Sequence, residues 1–386
     1  YSIMIGDEIG TTLTPMTFSK VRFDGVQLDF ATDKHSATLL LSRISEPDPL
    51  NLASGGEPSR RSDNTNLLGG RVETQLGDFV KVGATLVSTH HSQTQADALN
   101  GNFLKGTLTG QQNLGHVSFV EVVIRDDSPD DGVAGGSLFA SDIVIYDLQS
   151  RQLRGSEIGF RPLIEGGFQR AGFLSAAGDE VIRMRYDFSD PSYTGPDLAE
   201  IERVEVELVV ANDYLIEMTS DRQANRSGRE VFTTVARASG NVKDGSNQRV
   251  LVLDYGLPTA NQITGFTLEL DDLGGVRAYT ELDINHQFRK YPNPVRHKHH
   301  TASKQSEAWL FNLSKDDYPY FAFGEAFSVS PSYSTSMTVV NTSGIVDYGN
   351  SLRRFELVDD NDDQDRFPDW KRHDFGTGDT RIFPGW

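Results

Sequence analysis

The chain has 386 residues, a net charge of −19, 37% hydrophobic and 10% aromatic content, and no cysteine. That length and apolar content support two or three domains with sizeable cores and exclude a disordered chain. The acidic surplus argues against a nucleic-acid partner, which would need a basic stripe, and the missing thiols exclude disulfides, thiolate zinc sites and cysteine nucleophiles.

The sequence opens on Tyr1-Ser2-Ile3-Met4-Ile5-Gly6, apolar at once and without a charged leader region, which reads as a mature or excised piece of a longer precursor. No apolar run nears the roughly 20 residues of a membrane helix, so contact with a bilayer would run through strands, a neighbour or an anchor elsewhere. Residues 1–101 read as an antiparallel β region with a tight turn at Asp24-Gly25, an irregular loop over Ser45–Asn66 and a strand over Phe79–Ser88. His90 and His91 at the strand end alternate to opposite faces and make a poor joint metal site. Gln93–Leu99 is the one modest helix candidate.

From 102 to 258 the strands are rich in Val and Ile: Val117–Arg125, Leu138–Tyr146, Val181–Phe188, Ile201–Val210 and Val250–Tyr255. Their spacing predicts a jelly-roll-like or immunoglobulin-like sandwich. After Ile124 the carboxylates of Asp126, Asp127, Asp130 and Asp131 crowd one strand-end loop. They form a candidate Ca²⁺ site, or else a charged turn whose Asp residues cap backbone amides. The stretch Tyr186–Asp197, with Tyr193, has the composition of a glycan-binding loop.

Residues 259–347 form a second antiparallel β region that would pack with 1–101. A strand over Ile263–Leu270 is followed by a Gly274-Gly275 turn. In the next run Val276, Ala278, Thr280, Leu282, Ile284 and Phe288 share one face, predicted dry, with His286 packed within the run. Arg277, Tyr279, Glu281, Asp283, Asn285, Gln287 and Arg289 share the other, predicted wet. A transmembrane strand needs about 9–11 residues, which this run exceeds. A soluble sandwich needs the same alternation, so a second sandwich and part of a β-barrel both stand, and a continuous outward apolar belt would mark the barrel. Tyr291–Ser306, with His297, His299 and His300, reads as a basic surface loop. Trp309, Phe311 and Leu313 followed by Phe321, Phe323, Phe327 and Val329 predict a hairpin with an aromatic face.

The tail, 348–386, holds Asp359, Asn361, Asp363, Asp365 and Asp369, hard oxygen donors at near-regular spacing that suit Ca²⁺. An EF-hand would carry Gly and Glu where Gln364 and Trp370 stand. An acidic solvated linker is the alternative reading. No serine elbow and no HExxH pattern is present, and Gly132–Gly136 lacks the lysine of a phosphate loop. With 55 Asp and Glu, a carboxylate pair for glycoside hydrolysis can be drawn anywhere and carries no information.

Several segments resemble large bacterial outer-membrane and cell-surface proteins: Gly6–Phe18, Gly77–Thr85, Asp126–Gly132, Gly240–Arg249 and Asp254–Thr259. The Asp359 run resembles a thrombospondin type 3 calcium repeat, although it lacks a Gly among its carboxylates. The resemblance implies a β-rich piece of a long chain in a Gram-negative cell envelope. The resulting expectation is a non-enzymatic structural or interaction protein of the cell surface or outer membrane, stabilised by Ca²⁺. Its partners would be other envelope proteins or copies of itself, and membrane association would come through a β-barrel or a neighbouring subunit. A glycan-binding module of a secreted protein and a carbohydrate-active enzyme are the alternatives.

Overall fold

The computed structural model describes residues 1–44, 63–93, 102–109, 115–131, 135–225, 228–340, 346, 348 and 354–358. The protein is all-β, with a central sandwich. The N-terminal region gives β1 (Ser2–Thr14), β2 (Phe18–Ala31), β3 (His35–Arg43), β4 (Asp63–Leu76) and β5 (Val80–Gln93). The middle gives β6 (Phe119–Asp126), β7 (Ser137–Asp147), β8 (Gln152–Arg154), a one-turn helix α1 (Gly155–Ile158), β9 (Leu163–Gly166), β10 (Phe168–Arg170) and β11 (Phe173–Ser175). It continues with β12 (Ile182–Asp187), β13 (Ile201–Ala211), β14 (Tyr214–Ser220), β15 (Thr233–Arg237) and β16 (Arg249–Asp254). Then come β17 (Leu257–Leu273), β18 (Val276–Lys290), β19 (Thr301–Asp317), β20 (Tyr320–Val329), β21 (Ser336–Thr338) and β22 (Arg354–Glu356). These fall into two compact units, one of residues 1–109, 259–288 and 303–386, the other of 110–258 and 289–302.

In the first unit β1-β2-β3-β4-β5-β17-β18-β19-β20 form one nine-stranded sheet. The registers of β2 with β3, β3 with β4, β4 with β5 and β5 with β17 run antiparallel without a shift. Gly274 and Gly275, at φ +61° and +80°, supply the left-handed backbone that turns β17 into β18. The bonds Asp316 N to Gly275 O (2.8 Å) and Tyr291 N to His300 O (3.1 Å) fix β18 antiparallel to β19.

Asp24-Gly25 is not a hairpin turn. Both residues lie inside β2, where Gly25 faces Gly6 beside a register shift, and a Cβ at Gly25 would overlap the Leu41 carbonyl oxygen. This is a bulge, which lets β1 bend. The bend brings Ile9 and Leu13 of β1 with Phe18 and Phe23 of β2 into one core with Leu40, Leu67, Val87, Ile263 and Leu357. The sheet therefore curls until residues of its first and sixth strands belong to one core. Residues after β20 fill the concave side: Asn261 Nδ2 donates to the carbonyls of Ser334 (2.7 Å) and Ser336 (3.1 Å), and Gln287 Nε2 to that of Ser332 (2.8 Å). The predicted loop 291–306 is shorter than expected, because β19 already begins at Thr301.

The second unit is a sandwich of two antiparallel sheets, β10-β11-β7-β13-β16, with β8 on β7, and β15-β14-β6-β12-β9. Val204, Val206, Leu208 and Val210 alternate inward from β13 and are fully buried, as are Val122 and Ile124 of β6 and Ile182 and Met184 of β12. Each such aliphatic side chain stabilises the fold by about 1.5–3 kcal/mol on leaving water. Phe160 anchors an aromatic cluster, with its ring 5.8 Å from Tyr186, 5.7 Å from Phe188 and 5.1 Å from Tyr193. Burial pushes the Tyr186 hydroxyl up to about 12.

Candidate functional site

Residues directly opposite in an antiparallel ladder point to the same face, so the registers give that face row by row. On the convex side the rows are Leu76–Val80–Leu270, then His35–Thr74–Val82–Leu268, then Phe30–Ala37–Val72–Ala84–Phe266. Two more follow, Ile3–Leu28–Leu39–Gly70–Leu86–Thr264 and Ile5–Val26–Leu41–Leu68–Ser88–Gln262. None of these positions holds Asp, Glu, Lys or Arg. Charge returns on this face at Arg43 in the following row; past Leu270 at the other margin, Asp271 faces Lys81 on the concave side (3.7 Å). Leu282, Trp309, Phe311 and Leu313 extend the same exposed apolar face over β18 and β19.

The concave side of the same strands carries the charges. Arg71 donates to Glu73 Oε1 (2.7 Å), Thr85 Oγ1 (3.1 Å) and Thr267 Oγ1 (3.0 Å). Asp29 accepts from Thr38 Oγ1 (2.8 Å), Gln27 Nε2 (3.0 Å) and Ser2 Oγ (3.1 Å). Asn285 Nδ2 donates to Asn261 Oδ1 (2.5 Å), and Asn285 Oδ1 accepts from Gln287 Nε2 (3.1 Å). Glu281 and Asp283, at 0% exposure, complete this face. The period of the Val276–Arg289 run is as the sequence predicts, but its polarity is reversed in the middle: Glu281, Asp283 and Asn285 are enclosed and Leu282 is 43% exposed, whereas Arg277 is exposed and Phe288 buried as expected. A cavity of about 400 Å³ opens on the concave side, lined by Thr12, Thr38, Arg71, Glu73, Tyr279 and Asn312.

The β19–β20 hairpin does not gather its aromatics on one face. Trp309 pairs with Ser328 and Phe311 with Ala326, whereas Phe327 pairs with Leu310 and Phe323 with Ser314. Trp309, Phe311 and Leu313 thus look to the convex side, and Phe321, Phe323, Phe327 and Val329 to the other. All ten residues of β20 are exposed, with only one side of the strand paired.

The Asp126 loop is built as a capped turn. Asp126 accepts from the amides of Ser128 (3.0 Å) and Gly178 (2.9 Å), Asp127 faces Arg237 (3.5 Å), and Asp131 pairs with Lys243 (2.9 Å). Asp130 is exposed. Asp213, from the β13–β14 turn, is a neighbour the sequence did not single out; burial and the charges of Asp127, Asp126 and Asp131 raise its carboxyl above the usual range. Among the described residues no three carboxylates or imidazoles converge as a metal cage. Asp359, Asn361, Asp363, Asp365 and Asp369 lie outside the described residues, as do Gly132 and most of the helix candidate at 93–99.

The histidines are individually committed. His91 Nδ1 meets Thr65 Oγ1 at 3.0 Å, while His90 packs edge-on to Phe103. His299 Nε2 meets the Asn293 carbonyl (3.0 Å), and His300 Nε2 meets Asp254 Oδ2 (3.2 Å). His286 stacks on Phe288. Tyr193 is folded into the Phe160 cluster and donates to the Pro196 carbonyl (2.8 Å), which removes it as a free stacking platform. A groove of about 640 Å³ on the sandwich carries Glu121, Arg183, Arg185 and Glu230. These four charges pair with each other, Arg183 with Glu121 at 3.0 Å and Arg185 with Glu230 at 3.2 Å.

No family model matches this chain, and no curated protein matches it in sequence.

Proposed function

We propose that the protein is a non-catalytic structural component of a Gram-negative outer membrane, with the nine-stranded sheet serving as a lipid-facing wall and the sandwich as its interaction module. The carrying observation is the distribution of charge over the five rows. Every Asp, Glu, Lys and Arg of those strand segments, namely Asp29, Arg71, Glu73, Lys81 and Glu269, is on the concave side. A water-facing surface gains nothing from excluding charge this thoroughly, whereas a hydrocarbon-facing one must.

The dimensions support the same reading. Successive rows are two residues apart, so five rows span about 27 Å along the strands. At the 35–45° tilt of outer-membrane barrels that is about 20 Å of depth, close to their apolar band of about 25 Å. Chain packed into the concave side speaks for a plugged wall rather than an open pore. Other envelope proteins or further copies of the chain would complete it along β1 and β20.

Trp309, on the convex face, offers a direct test. The full chain, with Trp370 and Trp386 replaced by Phe, would be reconstituted in vesicles of brominated or ordinary phosphatidylcholine. Strong quenching of Trp309 by the brominated acyl chains is expected. Equal emission in the two lipids would remove the proposal.

A further inference from the structure

We infer that Glu281 and Asp283 form a binding site for a hard divalent cation on the concave face of the sheet, with Ca²⁺ as the fitting ion. Both residues project from β18 to the same side and are fully buried. Their carboxyl groups are close enough to interact directly and, when one is protonated, to share a hydrogen bond. Glu281 Oε2 accepts a hydrogen bond from the Tyr279 hydroxyl (2.8 Å). The other three oxygens, Glu281 Oε1 and Asp283 Oδ1 and Oδ2, have no hydrogen-bond partner. Orphaned buried carboxylate oxygens are costly, and folded proteins keep them where something else supplies the missing interaction.

The surrounding side chains do not supply it. Arg71 is the cation that acts on Asp283, but its guanidinium is engaged with Glu73, Thr85 and Thr267. Tyr333 is also near the pair, yet its hydroxyl donates to the Met16 carbonyl at 2.9 Å. Among the described residues neither carboxylate makes an ion pair. With Arg71 offset by Glu73, the two acids carry −2 when both are ionised, which one divalent ion balances; in the metal-free pair burial and the neighbouring Glu281 raise the Asp283 carboxyl above its usual range.

Counting the orphans distinguishes a cation from a shared proton. One proton between the two carboxyls satisfies a donor oxygen and an acceptor oxygen and leaves the third bare. A hard cation takes all three at once, and neutral oxygens and water would fill its remaining positions. The backbone is shaped for the acids: a Cβ on Gly265 of β17 would overlap the Asp283 carboxylate. Tyr279, which donates to Glu281, separates the acids from the 400 Å³ cavity that it lines.

The inference does not require lipid on the convex face, so it can fail or hold independently of the wall proposal. The full chain in detergent would be stripped with EDTA and titrated with Ca²⁺, with Mg²⁺ as comparison, by calorimetry and by thermal unfolding. The same titrations would be run on Glu281→Gln/Asp283→Asn and on Asp363→Asn/Asp365→Asn. Expected are the loss of about one Ca²⁺ equivalent in the first variant relative to the native chain, its retention in the second, and a metal-free Tm for the first variant above that of the metal-free native chain. Equal Ca²⁺ stoichiometry and equal Ca²⁺-induced Tm shifts in the native chain and the Glu281→Gln/Asp283→Asn variant would overturn the site. So would a native chain that binds no Ca²⁺ at neutral pH and gains its stability on acidification, because a shared proton would then be sufficient.

Discussion

Replacing Phe266 by arginine separates a lipid-covered sheet from a water-covered one. Phe266 lies in the middle of the five convex rows, opposite Ala84, and is 51% exposed. On a strand facing water, such a surface change away from any special feature shifts stability by no more than about 0.5 kcal/mol. At the centre of a bilayer the same arginine costs about 2–4 kcal/mol, falling to about 0–1 near the interfaces. Leu270 supplies the comparison, because it lies two rows away at the margin of the belt, next to Asp271. Phe266→Arg should therefore cost about 2 kcal/mol more than Leu270→Arg, measured as urea-driven unfolding of the full chain from phospholipid vesicles followed by fluorescence. Equal costs within about 0.5 kcal/mol would refute the depth argument and return the sheet to water.

In the same sheet, Gly265→Ala should destabilise by about 1–3 kcal/mol, since its Cβ would overlap the Asp283 carboxylate and stand 2.9 Å from Thr17 Cγ2. Asp283→Ala in the same chain should recover part of that loss, and a neutral Gly265→Ala in thermal unfolding would contradict the packing. In the sandwich, Phe160→Ala opens the centre of the aromatic cluster and should cost about 3–5 kcal/mol in denaturant unfolding. Two carboxylates give opposite pH signatures. Burial raises the Asp147 carboxyl, but hydrogen bonds from Arg151 and Gln149 outweigh it and hold the group below the usual range. Its contribution is present above the unfolded value of about 3.9 and is lost as pH falls through the folded value, so Asp147→Ala should matter least in acid. Asp213 is raised, chiefly by burial, so its cost appears as pH rises through the folded value. Asp213→Asn should stabilise by about 1 kcal/mol at neutral pH and have little effect near pH 3. A pH-independent difference in either case would count against the assigned environment.

The strands were legible because period two is a local property, and the long runs of β5, β13 and β18 follow it closely. Which face is covered is not local. Glu281 and Leu282 alternate identically whether the dry side is a sandwich core or a lipid boundary. The choice depends on β4, β5 and β17, as in the bond from Arg71 to Thr267 across 196 positions of sequence. The facing of the β19–β20 hairpin, by contrast, is a local property. A two-residue connection, Tyr318-Pro319, between Asp317 and Tyr320 pairs odd positions with even ones, which already places Phe327 opposite Leu310 rather than beside Trp309. The Asp126 loop stayed ambiguous in sequence because one of its capping amides, that of Gly178, comes from 52 residues away.

The exposed apolar face and the buried acids are two results of one constraint. A strand with strict alternation must put Leu282 and Asp283 on opposite sides, so a face cleared of charge sends Glu281 and Asp283 inward. The concave side then has to satisfy them. It does so for Asp29, Glu73 and Asn285 with hydroxyls, amides and Arg71, and it leaves three oxygens of Glu281 and Asp283 over. Strand direction adds a condition on completing the proposed wall. In a nine-stranded antiparallel sheet the first and last strands point the same way, so β1 and β20 meeting directly would form a parallel pair. An all-antiparallel closure takes an odd number of further strands between them. The exposed edge of β20, with Phe321, Phe323 and Phe327 turned to the concave side, is the site where the first of those strands would add.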